Sequence, residues 1–185
     1  LPHFISLVVI CGIILDFTKS DGLFNDLIAA FGGERIMFMQ QSKWFRPIYI
    51  ISGIWQEVGW GSIIYLSAIA GISQEQYEAA KIDGANRWQE TLHVTLPGIV
   101  STIVVLLILR VGRIMSLGYE KVLLLYNEST YDTADIISTY VYRRGLEGSQ
   151  YSYAAAVDLF SSVINLLMLC STNAISKRLG QSGLW

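Results

Sequence analysis

The sequence predicts an all-α fold, a polytopic membrane helical bundle, and three observations carry that expectation. Of its 185 residues 52% are hydrophobic and the mean hydropathy is +0.45, above the mixture usual for a soluble domain. The excess is gathered into four blocks, at about 4–17, 48–70, 99–118 and 152–174. The last three approach the ~20 residues a helix needs to cross the hydrocarbon core, and few charges fall inside them.

The first block is the shortest. It follows Leu1 almost directly, so the chain reads as N-terminally truncated, with further spans expected upstream. No basic segment precedes the apolar run and no small-residue cleavage site follows it, so it does not read as a cleavable signal. The connection from Lys19 to Pro47 opens on a turn at Asp21-Gly22. It continues with the helical spacing Leu23, Leu27, Ile28, Phe31 and closes on Gly32-Gly33, which predicts a short interfacial helix. Trp44, Phe45 and Arg46 read as an interfacial anchor ahead of Pro47, where the second span begins. That span carries Gln56, Glu57, Ser62, Tyr65 and Ser67 together with Gly53, Gly59, Gly61 and Gly71. Small residues allow close helix approach and polar ones bond across helices, so it is expected to pack inside a bundle.

After Gly71 the chain turns polar. Ser73-Gln74-Glu75-Gln76 fits a capping box that starts a helix, with Tyr77, Ala80 and Lys81 on one face and Gly84 where a positive φ commonly ends one. Asn86 then offers a second N-cap with Gln89 three residues on. Trp88 and Leu92 share one side of that second helix and are expected to pack the loop against its own spans. Leu96-Pro97 is expected to end it, because proline pushes the residue before it out of helical geometry. The third span follows, to about Gly118, with Arg110 and Arg113 in its distal half. In the connection from Tyr119 to Gln150, Ile136, Ile137, Tyr140 and Val141 keep helical spacing and Gly145 is the expected stop. The fourth span runs from about Tyr151 to Lys177-Arg178.

Several function classes are disfavoured. Net charge is −2 with no basic run, so nucleic acid is not an expected partner. Cys11 and Cys170 lie in apolar blocks without metal-type spacing and read as packing residues. His3 and His93 are isolated, and no Ser-His-Asp pattern or Walker-type glycine loop occurs, so no catalytic residue, metal or cofactor is expected. Four spans put both ends of the chain on the same side as the loop from Gln74 to Pro97. The Lys and Arg count, seven on the two long connections against four on the loop and tail, does not favour a cytoplasmic placement of that loop.

The most specific signal is Tyr77-Glu78-Ala79-Ala80-Lys81-Ile82-Asp83-Gly84 followed by Val94-Thr95-Leu96-Pro97. It resembles the EAA loop of the membrane subunits of ATP-binding-cassette importers, with Val94 where isoleucine is commoner. Leu1-Pro2-His3-Phe4-Ile5-Ser6, the second span through Gly71-Ile72, and the ending Gly183-Leu184-Trp185 extend the resemblance to permeases associated with complex carbohydrates. The resemblance implies a MetI-like permease fold lacking its first spans, in a multi-pass protein of the bacterial cytoplasmic membrane. It also implies ATPase subunits that hydrolyse ATP on a separate chain, a second permease subunit, an extracytoplasmic solute-binding protein and a carbohydrate cargo. Glu78, Ala79, Ala80, Asp83, Gly84, Leu96 and Pro97 would then form the ATPase-coupling element. Small residues permit close docking, Glu78 supplies a polar anchor, and Gly84 permits the turn between two short helices.

Charges inside the spans are the other candidates. By a rise of 1.5 Å per residue, Glu57 lies ~14 Å, Arg110 ~12 Å and Asp158 ~10 Å from the same membrane face. Unpaired charge in hydrocarbon is costly, so these three, with Arg113 near the end of the third span, are expected to face one another or water. A structural ion-pair cluster and a polar lining of the solute path both fit, and the two can overlap. Trp55, Trp60 and Tyr65 fit either sugar stacking or plain packing. The rival to an importer is a secondary transporter that uses Glu57, Arg110 and Asp158 as an ion relay; a membrane scaffold using the loop only for docking is a third reading.

Overall fold

The computed structural model describes residues 2–116, 118–178 and 180, and every regular element among them is helical. The α-helices among these residues are α1 (Leu7–Thr18), α2 (Leu23–Ala30), α3 (Ser42–Ala70), α4 (Gln74–Ile82), α5 (Arg87–Glu90), α6 (Leu96–Val111), α7 (Tyr119–Leu125), α8 (Tyr131–Ala134), α9 (Ile137–Tyr142) and α10 (Tyr151–Arg178). By contacts the chain divides into two units, Leu1–Gly59 with Ser116–Ser161 and Trp60–Met115 with Ser162–Trp185.

In the first unit α1 packs on α7 and α2. Cys11, Phe45, Val122, Leu125 and Ala134 form its apolar centre, with Leu7, Ile14 and Tyr49 packed against them. The expected helix between Lys19 and Pro47 is present, and Gly32 follows it at φ +79°. Asn25, fully buried, holds this loop shut: its Nδ2 donates to Lys19 O at 2.9 Å and Ile36 O at 2.8 Å, while its Oδ1 accepts from Ile36 N at 2.7 Å.

The third helix corrects one expectation: it begins at Ser42, not after Pro47, so that Trp44, Phe45 and Arg46 fall near its start. The reason is tertiary: Ser42 Oγ donates to Asp132 at 2.5 Å, Thr133 Oγ1 donates to Ser42 O at 3.1 Å, and Arg46 Nε donates to Thr133 O at 3.3 Å. Phe45 is 3% exposed in the core and Trp44 meets Phe38 edge-on at 5.2 Å. Pro47 sits inside the helix, where the missing N–H forfeits one bond that these attachments offset.

The connection from Tyr119 is more ordered than its sequence suggests. α7 fills its start, and Asn127 caps the following turn while its Nδ2 donates to Met39 O at 2.7 Å. Arg143 and Asp135 form a two-toothed ion pair, 3.0 and 2.6 Å, and the guanidinium lies 4.5 Å from the Tyr131 ring centroid. Gly145 does not stop α9. The helix widens into a π turn over Arg143–Glu147, and Gly148 ends it. Gly145 is buried there by the close approach of α10, where a Cβ on it would collide with the Cβ of Ala154.

In the second unit Pro97 does not end the helix begun at Arg87. The chain passes through a π turn, Thr91–Thr95, straight into α6, where Leu96 N–H donates to Thr91 O, five residues back. That widened turn accommodates a proline whose ring would crowd a regular one. α6 stops at Val111, short of the expected Gly118. Gly112 follows it so close to α10 that a Cβ would lie 2.6 Å from Leu169 Cδ1, and Met115 N donates to Asn165 Oδ1 at 3.2 Å. α10 occupies the stretch expected for the fourth span.

The stretches Arg87–Val111 and Tyr151–Arg178 are long and apolar enough to cross a membrane, yet only 11% and 6% of their most apolar windows are buried. Leu159, Phe160, Leu166 and Leu167 on α10 all point outward. A soluble fold would cover such a surface; lipid leaves it satisfied. α3, with 29 residues, is ~43 Å long against a hydrocarbon core of ~30 Å. α1, with 12, reaches ~18 Å.

Candidate functional site

The loop from Gln74 to Pro97 is built from its own caps. Ser73 accepts from Glu75 N at 3.3 Å, so the cap engages the second amide and not the expected third. Gln74 Nε2 donates to Glu78 Oε1 at 3.0 Å along the helix. At the other end Gly84 takes φ +79°, Ala85 N donates to Ala80 O at 2.9 Å, and Gly84 N donates to Lys81 O at 3.0 Å. This is a Schellman closure, in which the left-handed residue lets two orphan carbonyls find donors. The expected capping box at Asn86 is complete: its Oδ1 accepts from Trp88 N and Gln89 N, both at 3.0 Å, and Gln89 Oε1 accepts from Asn86 N at 2.8 Å.

One bond ties the two arms together, between Tyr77 Oη and Thr95 Oγ1 at 2.9 Å. Glu78, Ala79, Asp83, Gly84, Leu96 and Pro97 are exposed and Ala80 is half-buried. Trp88 does not pack against the spans, and Leu92 is only half covered. Trp88 is 75% exposed and Ile82, next to the turn, is 86% exposed. A polar loop that holds two large apolar side chains in solvent, on caps that leave the backbone little freedom, has the character of a docking surface.

The charged positions fall in different surroundings. Glu57 Oε1 lies 3.4 Å from His3 Nδ1 with half of the carboxylate side chain exposed, a partner that the spacing of charges did not indicate. Asp158 lines a cavity of about 460 Å³ between α7, α9 with its π turn, and α10, alongside Tyr119, Tyr142 and Tyr151. Arg110 and Arg113 are exposed at the end of α6, joined through Arg113 N to Arg110 O at 3.2 Å. Lys121 entered the sequence reading only as one of the seven basic residues on the long connections. It is 6% exposed, its Nζ donates to Tyr49 O at 3.4 Å, and it sits 5.2 Å from that ring's centroid. The tyrosine cavity did leave a trace, since seven of the ten tyrosines fall between Tyr119 and Tyr153. Gly183, Leu184 and Trp185 lie outside the described residues.

Outward-facing apolar helices, capped polar turns and no strand among the described residues define an integral membrane helical protein. Residues 1–181 match the family of binding-protein-dependent transport system inner membrane components, and the chain belongs to that family. It is 45% identical, over its whole length, to protein LplB of Bacillus subtilis (strain 168) and to the polygalacturonan/rhamnogalacturonan transport system permease protein YteP of the same organism. It spans 58% of the length of each of these relatives. A bacterial alginate ABC transporter, solved with an alginate-pentasaccharide-bound periplasmic protein, has a chain that matches with a TM-score of 0.96 and 46% identity, over 100% of this chain and 64% of that one. The MetI-like fold expected from the sequence is therefore the observed one, in an inner-membrane component of a transport system.

Proposed function

We propose that this chain is part of a permease subunit of an ATP-binding-cassette importer. It carries an oligosaccharide or related carbohydrate across the bacterial cytoplasmic membrane. The observation that carries this reading is the loop Gln74–Pro97, whose Schellman turn at Gly84 and capping box at Asn86 hold Ile82 and Trp88 outward. The loop docks in a cleft on an ATPase subunit, through Glu78, Ala79, Ala80, Asp83 and Gly84. Leu96 and Pro97 lead into α6, so closure of the ATPases moves that helix. ATP is hydrolysed on that separate subunit. A second permease subunit completes the path and an extracytoplasmic binding protein delivers the solute. In this reading four segments, about 4–17, 48–70, 99–118 and 152–174, cross or enter the membrane, with the loop in the cytoplasm. Glu57, Arg110, Arg113 and Asp158 supply the polar groups along the solute path or the ion pairs that brace it. The carbohydrate relatives and the alginate transporter support the cargo class.

Gly84→Asp tests the coupling assignment. A Cβ at this position meets nothing within 4 Å, so the subunit has room for it. The left-handed backbone costs an L residue about 1–2 kcal/mol, and the new carboxylate stands on the docking face. Expected is normal membrane insertion with roughly tenfold weaker co-purification of the ATPase. Undiminished complex formation and uptake would remove the loop from its role.

A further inference from the structure

We propose that the cavity around Asp158 is a subsite for an uncharged pyranose ring, and that Asp158 turns uronate rings away from it. The inference rests on the carbohydrate-importer reading above. The volume, about 460 Å³, lies within the range of pockets that hold small molecules. Tyr119 and Tyr142 line it with ring centroids 6.1 Å apart, and Tyr151 at the start of α10 and Ser138 on α9 add further hydroxyls. Flat phenol rings suit the C–H face of a sugar. Hydroxyls and a carboxylate suit its O–H groups.

The lining contains no lysine, arginine or histidine among the described residues, and Glu120 stands near Tyr119 as a second negative neighbour; of the cations on the adjoining π turn, Arg143 is paired with Asp135 and Arg144 lies over the Tyr140 ring, 5.8 Å from its centroid. A hydroxyl-rich neutral ring gains from that field, and a carboxylate-bearing ring is opposed by it. The cavity owes its shape to a close approach: the π turn brings Gly145 against Ala154 one turn before Asp158, where any side chain on residue 145 would push α9 from α10.

The test uses the full-length permease with its second subunit and ATPases in nanodiscs, without the binding protein, whose own selectivity would otherwise be read. Two probes differ only at C6: α-1,4-galactotetraose and tetragalacturonate. Expected is binding of the neutral probe at least tenfold tighter than the acidic one. Asp158→Asn weakens the neutral probe by roughly tenfold, the worth of a charge-assisted hydrogen bond, and tightens the acidic one. Asp158→Glu restores the preference, and Tyr151→Ala, at the exposed rim, weakens both probes. Equal or tighter binding of tetragalacturonate, binding of neither probe, or an Asp158→Asn protein that behaves as wild type overturns the assignment. ATP-driven uptake by the same complex reconstituted in vesicles, with its binding protein added, keeps the importer reading separate: uptake there with no neutral preference in the nanodisc binding assay removes the subsite alone, and absence of ATP-driven uptake removes the importer.

Discussion

Asp135 and Arg143 show how much single residues fix in the connection between α6 and α10. The guanidinium, joined by the Thr139 hydroxyl at 2.7 Å, holds the Asp135 carboxyl below the ordinary carboxylate range despite the opposing effect of burial. A depressed folded pKa means that the stabilisation is fully present above the unfolded value of ~3.9 and is lost as pH falls through the folded one. Amide protection of residues 131–147 is therefore expected to stay level from pH 8 to 5, after correction for intrinsic exchange, and to fall only in stronger acid. Asp135→Asn is expected to cost about 2 kcal/mol and to make that protection low at every pH. Protection in the variant that equals wild type at neutral pH would show the pair to be incidental. Asn25 makes a parallel case: with three bonds from one buried amide, Asn25→Ala is expected to cost about 2–4 kcal/mol and to open Lys19–Ile36 to protease. Neither pair could be read from the sequence, because Asp135 with Arg143, and Asn25 with Ile36, are partners brought together by turns and not by helical spacing.

At the scale of elements, the sequence was legible where local chemistry decides. The Asn86 box, the left-handed Gly84 and the course of α10 follow from residue type and spacing alone. It was illegible where tertiary contact overrides. Pro47 and Pro97 each read as a boundary, yet one lies inside a helix whose first turn is bonded to α8, and the other follows a π turn that absorbs its ring. Gly145 read as a stop for the same reason and is instead a point of close approach to Ala154 on α10. The Tyr77–Thr95 bond spans the loop from Gln74 to Pro97 and supports its rigidity. Tyr77→Phe is expected to cost about 1 kcal/mol and raise amide exchange of residues 74–82 severalfold, with α6 unaffected. Unchanged exchange in α4 would place the loop's rigidity in its caps alone.

For the whole molecule, hydropathy blocks gave the class and the EAA spacing gave the family, and the match over residues 1–181 bears out both. The tyrosine-lined cavity was less visible because its walls come from three segments of the chain with no shared period. The central claim is that ATP hydrolysed on a partner subunit, received through Gln74–Pro97, drives uptake. The direct measurement is uptake of a labelled oligosaccharide by vesicles holding the intact permease pair, its ATPases and its binding protein. The account predicts uptake that requires ATP and the binding protein and persists when ionophores collapse every ion gradient. Uptake that proceeds without ATP and stops with the gradient would contradict it.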